Sequence, residues 1–233
     1  MTFSMKTFKW SWCNVNGRGP GPLAYSAAAS VFPRVYYNNA KFSLSELPRV
    51  KASNDPFKLI KEMGLYLFGG LGPDHLPHDK LMILSVRRNE CRWITPETHG
   101  TGPSARFQHS MVYCRNMNFL TVFGGRNNQS SDPCLCFNDV HVLNIDQLLW
   151  SVVKPFGLLP TPRSLHTADF IDTTLFIFGG SNSNSFANSD LYIIEFDQNV
   201  VRKNKAEDAR IEEARRIKAE IEERRLAKLG DKV

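Results

Sequence analysis

Apolar residues in this chain fall in short runs separated by polar punctuation. LYLFGG (65–70), LTVFGG (120–125) and LFIFGG (175–180) each close an apolar run on a glycine pair. Further runs open on an acidic residue: DKLMILSV from Asp79, DVHVLNI from Asp139 and DLYIIEF from Asp190. β-branched and aromatic residues dominate these runs, and Gly, Pro, Asn and Asp break them, which predicts short strands joined by turns. The pattern changes at Val201. The remaining residues, 201–233, are mostly good helix formers, with a capping-box spacing between Asn204 and Glu207 and a stop at Gly230. Glu212–Arg216 and Glu220–Arg224 are i,i+4 pairs in the favoured order. Ala214, Ile217 and Ile221 begin a heptad seam that Arg224 and Lys228 interrupt, so a charged helix is expected rather than a long coiled coil.

The strand pattern repeats. The glycine pairs begin at Gly69, Gly124 and Gly179, a step of 55 residues each time. Tryptophan and histidine keep an independent register: Trp93 precedes His109 by sixteen residues, and Trp150 precedes His166 by sixteen. Trp10 leads at the same offset to Ser26. Pro20, Pro103 and Pro160 each follow their tryptophan by ten residues, and Arg106 and Arg163 follow by thirteen, with Leu23 in that place in the first copy. Each unit therefore holds four apolar stretches, around the His, before Gly-Gly, after the Asp and around the Trp. Four short strands in about fifty residues is the sequence form of a propeller blade. The pairs Gly69–Gly70, Gly124–Gly125 and Gly179–Gly180 supply positive φ and close backbone approach at the crowded centre of a blade. A tryptophan on an outer strand covers the flank of an adjacent sheet.

The order P-x-x-R-x-x-H, then an apolar strand ending F-G-G, then an Asp-led strand, then Trp, resembles the kelch repeat over about residues 8–197. The copy at 103–155 matches best. The first copy departs at Leu23 and Ser26 and carries an insertion at residues 33–63, which reads as a basic excursion from the rim with a short helix near Asp55–Met63. The resemblance implies an all-β fold of kelch-type blades over residues 1–200, followed by the charged helical tail 201–233. It also implies that Trp10, Trp93, Trp150, His109, His166, Asp79, Asp139 and Asp190, with the glycine pairs, hold the blades together.

Counting strands in chain order gives one Trp strand (FKWSW), two complete blades, and then three strands without a Trp. Propellers close with about four to eight blades, so three leave raw sheet faces. Three ways of covering them follow: a second copy completing a six-bladed ring, other chains supplying or capping blades, or a half-propeller held in a larger assembly. Each requires a protein partner, and the tail helix is a further candidate to dock on a partner or filament.

Charge and composition narrow the function. Of a net charge of +6, the last 32 residues contribute +3, with eleven Lys/Arg against eight Asp/Glu, so no nucleic-acid partner is expected of the mildly basic body. The five cysteines, Cys13, Cys91, Cys114, Cys134 and Cys136, lack a disulfide-scaffold spacing and predict reduced thiols in a cytoplasmic protein. No run reaches the roughly 18 apolar residues of a membrane span, and no membrane association is expected.

Candidate chemistry is sparse. His75, His78, Asp74 and Asp79 share a proline-broken loop, which favours a solvated loop over a metal site. Gly100-x-Gly102 precedes Pro103 and a strand, so it is not a dinucleotide fingerprint, and no nucleophile elbow, P-loop or H-E-x-x-H is present. His109 and His166 are expected to satisfy hydrogen bonds inside blades. No enzyme activity, cofactor or metal is expected. The candidate partner-binding residues are Asn127, Asn128, Asn182 and Asn184 in the loops after Gly-Gly, with Arg106 and Arg163, which either project toward a ligand or brace a blade. By analogy with kelch proteins, the expected role is a non-catalytic scaffold subunit, cytoskeletal or ciliary, with substrate recognition for a ubiquitin ligase as the alternative.

Overall fold

The computed structural model describes residues 2–4, 9–11, 15–31, 63–87, 90–129, 136–184 and 186–197. The chain divides into two units, Met1–Ile194 and Glu195–Val233, and of the second only Glu195–Asp197 are described. Residues 33–62 of the insertion and the expected tail helix lie outside the described residues.

Three antiparallel sheets carry the repeat. In the first, β4 (Ala27–Val31), β5 (Gly64–Phe68), β6 (Leu81–Arg87) and β7 (Glu90–Ile94) run inner to outer as a meander. In the second, β9 (Ser110–Cys114), β10 (Phe119–Phe123), β11 (Val140–Asn144) and β12 (Leu149–Val153) do the same. The third holds β13 (Thr167–Ile171), β14 (Thr174–Phe178) and β15 (Leu191–Glu195). Two short strands join in parallel outside the Trp strands, β3 (Val15–Asn16) on β7 and β8 (His99–Gly100) on β12. The fold is all-β, built of propeller blades.

The N-terminal Trp strand pairs separately from the three sheets. β2 (Lys9–Ser11), which holds Trp10, pairs antiparallel with β1 (Thr2–Ser4) as a separate two-stranded sheet, with Phe3 opposite Trp10. Among the described residues it pairs with no strand of the third sheet. Trp10 thus stands on a hairpin, whereas Trp93 and Trp150 stand on β7 and β12.

Burial follows each sheet's position. β4 alternates buried and exposed, and its Ala27, Ala29 and Val31 join Tyr66, Phe68, Leu81 and Ile83 against Met111, Leu120, Val122, Leu143 and Trp150 of the second sheet. Both faces of the second sheet are covered, so all five residues of β10 are buried and the period of two disappears. The third sheet is covered on one face: Leu175 and Ile177 are buried, while Ile171, Phe178, Leu191 and Ile193 are exposed.

Candidate functional site

The polar residues the repeat singles out meet at the centre of each blade. Arg106 and Arg163 are fully buried. Arg106 spends all five guanidinium donors inside its own blade. Its Nη1 donates to Gly124 O (2.9 Å) and Asp139 Oδ1 (2.6 Å), and its Nη2 to Asp139 Oδ2 (2.8 Å) and Ser104 Oγ (3.2 Å). Its Nε donates to Ser104 O (3.0 Å). Arg163 repeats this with Gly179 O (2.9 Å), Asp190 Oδ1 (2.6 Å) and Oδ2 (3.0 Å), Thr161 Oγ1 (3.1 Å) and Thr161 O (3.1 Å). Arg106 also stacks 4.2 Å over the Phe137 ring. Of the two roles open in the sequence, bracing is the one the geometry supports. Neither arginine has a donor left for a partner.

The carboxylates answer in kind. Burial alone would raise Asp139, but hydrogen bonds from Arg106 and His141 hold it well below the usual carboxylate range. Hydrogen bonding from Arg163 lowers Asp190 likewise, against a smaller opposing effect of burial.

The first blade corrects one assignment. The main-chain carbonyl that accepts from the first glycine N–H belongs to Asp139 and Asp190 in the second and third blades, and in the first it belongs to Lys80, not Asp79. Leu23 and Lys80 therefore replace the arginine and the aspartate together, so the pair is lost as a unit and no charge is left unmatched in a buried site.

The glycine pairs join one blade to the next. The Gly70 and Gly125 N–H groups donate to the carbonyls of Arg106 and Arg163 (2.9 and 2.8 Å), and the main-chain N–H groups of those arginines donate to His78 O and Phe137 O (3.1 and 3.0 Å). A Cβ on Gly69 or Gly124 would lie 2.6 or 2.7 Å from those same arginine carbonyls, and both residues have positive φ. No side chain fits there.

The histidines lean onto the same junctions. The His109 ring packs edge-on against Phe68 (5.5 Å), and His166 against Phe123 (5.1 Å). His166 Nε2 also lies 2.9 Å from Ser110 Oγ of the preceding blade. The residue equivalent to Ser110 in the first blade is Ala27, since each pairs with the Phe before Gly-Gly. Both ring nitrogens of buried His109 consequently lack a hydrogen-bond partner, contrary to the expectation from sequence. Burial, then the charges of Arg106 and His166, lower its pKa to about 3, and the Phe68 main chain offsets this only weakly without reaching hydrogen-bonding geometry. Burial and Arg163 lower His166 to about 4.

The loops after Gly-Gly form a joined rim. Asn128 Nδ2 donates to His75 O (3.3 Å) across the first two blades, and Cys136 N–H to Ser183 Oγ (3.4 Å) across the next two. Asn127 Nδ2 is held by Ala105 O, and the Asn182 Oδ1 accepts from the amides of Asn184 and Phe186. Asn184 is exposed. Among the described residues no group of three or more His, Cys, Asp or Glu side chains is arranged to hold a metal ion. No helix among them is long and apolar enough to cross a membrane.

Antiparallel meander sheets linked through glycine pairs, with an Arg–Asp clamp bracing the second and third, define a protein of the propeller class. The family model for the KLHDC2/KLHL20/DRC7 Kelch-repeats domain matches residues 59–226. The chain belongs to the kelch-repeat family. It is 26% identical to Kelch domain-containing protein 2 of Bos taurus over 82% of this chain and 56% of that one. It is 30% identical to Host cell factor of Drosophila melanogaster over 63% of this chain and 10% of that one. The chain thus spans little more than half of the first relative and a tenth of the second. Among solved structures it resembles a chain of the RAG complex with one melted and one unmelted RSS, with a TM-score of 0.55 and 21% identity over 78% of this chain and 50% of that one. It also resembles YjhT, with a TM-score of 0.54 and 17% identity over 84% of this chain and 49% of that one. These two likenesses concern the fold.

Proposed function

We propose that this chain is a non-catalytic interaction subunit of a larger assembly in the cytoplasm, with protein partners covering or completing its blades. The observation that carries the reading is the outer face of the third sheet, where Ile171, Phe178, Leu191 and Ile193 form an exposed apolar surface. The internal use of Arg106 and Arg163 supports it further, since the strongest polar groups brace the fold instead of facing a substrate. A cytoskeletal or ciliary setting, with the tail docking on a filament, is the finer form of this proposal. A second reading, substrate recognition for a ubiquitin ligase, is supported by the kelch family model matched over residues 59–226. Affinity purification of the full chain, with light scattering on the eluate, tests both. A stoichiometric structural partner supports the scaffold, a cullin adaptor supports the ligase subunit, and a monodisperse monomer without partners overturns both.

A further inference from the structure

Neighbouring blades are joined by one repeated set of main-chain hydrogen bonds. At the first junction Gly70 N–H donates to Arg106 O (2.9 Å), Arg106 N–H to His78 O (3.1 Å) and Gln108 N–H to Tyr25 O (3.0 Å). At the second, Gly125 N–H donates to Arg163 O (2.8 Å), Arg163 N–H to Phe137 O (3.0 Å) and Leu165 N–H to Gln108 O (3.0 Å). Tyr25, Gln108 and Leu165 have φ of 56°, 57° and 58°, so a single backbone conformation carries the series. Among the described residues the series stops at both ends. Asn188, like His78 and Phe137, donates its N–H to the second glycine of its pair, so on the third blade the matching open groups are Gly180 N–H, Asn188 O and Leu165 O. Ala24 bridges Leu71 as Phe107 bridges Arg126, so on the first blade they are Leu23 O, Leu23 N–H and Tyr25 N–H.

The apolar contacts stop at the same place. Phe68 and Phe123 are buried at their junctions, whereas Phe178 in the same position is 53% exposed, with Leu191 and Ile193 exposed beside it. A Cβ on Gly124 would stand 2.7 Å from the arginine carbonyl of the next blade, while among the described residues one on Gly179 meets nothing nearer than Asn188 O at 3.4 Å. We propose that this face seats the first blade of a second copy of the chain, head to tail, so that two copies close one six-bladed ring. The open groups of the two ends are complementary. Gly180 N–H donates to the partner's Leu23 O, and the partner's Leu23 and Tyr25 N–H groups donate to Asn188 O and Leu165 O. These are main-chain groups, so the change from arginine to Leu23 does not remove them, and their blade register selects a further blade over a helix. Residues 32–62 and 198–233 contain neither P-x-x-R-x-x-H nor F-G-G, so they do not supply that blade. The contact is heterologous, and it closes because six blades fall within the roughly four to eight of complete propellers. The inference rests on the proposed interaction role and names the partner on this face.

The test is sedimentation velocity on the purified full chain from about 1 to 100 µM, with amide exchange at Leu23, Tyr25 and Gly180 measured at both ends of that range. A dimer is expected in the concentrated sample, with the three amides protected there and exchanging freely in the dilute one. Phe178→Asp, at a position already exposed in the single chain, is expected to weaken the dimer about tenfold or more. Val152→Asp, exposed on the outer strand of the second blade, is expected to leave it unchanged. A monomer throughout the range overturns the ring, as does a dimer in which Gly180 still exchanges freely. Protection of Gly180 in a dilute monomer also overturns it, by assigning the face to the chain's own residues. A copurifying partner that protects Gly180 of a chain monomeric by itself removes the second copy but not the interaction role. A dimer with no other copurifying protein removes the larger assembly but not the ring.

Discussion

Lowering the pH should destabilise this protein through two buried histidines before the clamp carboxylates Asp139 and Asp190 are titrated. His109 and His166 have an ordinary pKa of 6.5, lowered in the fold to about 3 and about 4. Below pH 6.5 the unfolded chain binds a proton at each site that the folded chain refuses, so stability falls as pH falls. At pH 5 the unfolded state gains about 1.5 pH units of protonation energy at each site, or about 2 kcal/mol per histidine and about 4 together. The window is fixed by the shifts themselves: stability is full above pH 6.5, and the loss stops accumulating near pH 4 for His166 and near pH 3 for His109. Asp139 and Asp190 are held low by their arginines, so they stay ionised at pH 5 and add to the loss only further down. Urea unfolding followed by tryptophan fluorescence at pH 7.5, 6 and 5 measures the slope. His109→Gln should remove about half of the pH dependence, whatever it does to stability at pH 7.5. An unfolding free energy at pH 5 within about 1 kcal/mol of that at pH 7.5 would refute the reasoning.

Ala27→Ser should give His109 the partner that Ser110 gives His166, raising stability by about 1 kcal/mol in the same assay; an unchanged or lower value would mean the imidazole does not reach it. In the first blade, Leu23→Arg alone should destabilise by placing a cation beside Lys80. Combined with Lys80→Asp it should recover the clamp of the other blades, with a coupling of about 1 kcal/mol or more in a double-mutant cycle. Gly100→Ala should cost several times more than Gly157→Ala in thermal unfolding, because both have positive φ but only Gly100 faces a carbonyl, at 2.2 Å. Equal costs would place a strand against Gly157 in the isolated chain.

The repeat was legible because it is written in residues with narrow conformational tolerance. Every glycine of the three pairs has positive φ, and a spacing of 55 residues between such pairs leaves one architecture. What could not be read was direction. Arg106 at a motif position is equally consistent with a side chain facing solvent or facing its own blade. A hint lay in the first copy, where arginine and aspartate vanish together, but only if the acid is placed correctly. Asp190 follows Gly179 by eleven residues, and the same count from Gly69 reaches Lys80. The neighbouring Asp79 lies one residue short of that register. β3 and β8 were invisible for another reason: two residues each carry no alternation, and their sign is a Gly-x-Gly-Pro passage at 17–20 and 100–103. The pairing of Trp10 could not be inferred from its match to other tryptophans, since a strand's partner depends on which edge lies nearest.

The same passage differs in the third blade. If the third blade had merely been left unfinished, its bed for an outer strand would be expected to keep the small and polar residues of its siblings. Instead only Gly157 and Pro160 keep their type, and a phenylalanine and two leucines stand between and beside them. Three large apolar side chains in solvent cost solubility and offer the isolated fold nothing in return. The clamp residues at the blade centre tell the complementary story, because every strong donor there is already consumed. Under the proposed interaction role, recognition therefore falls to the outer sheet face and not to the clamp residues.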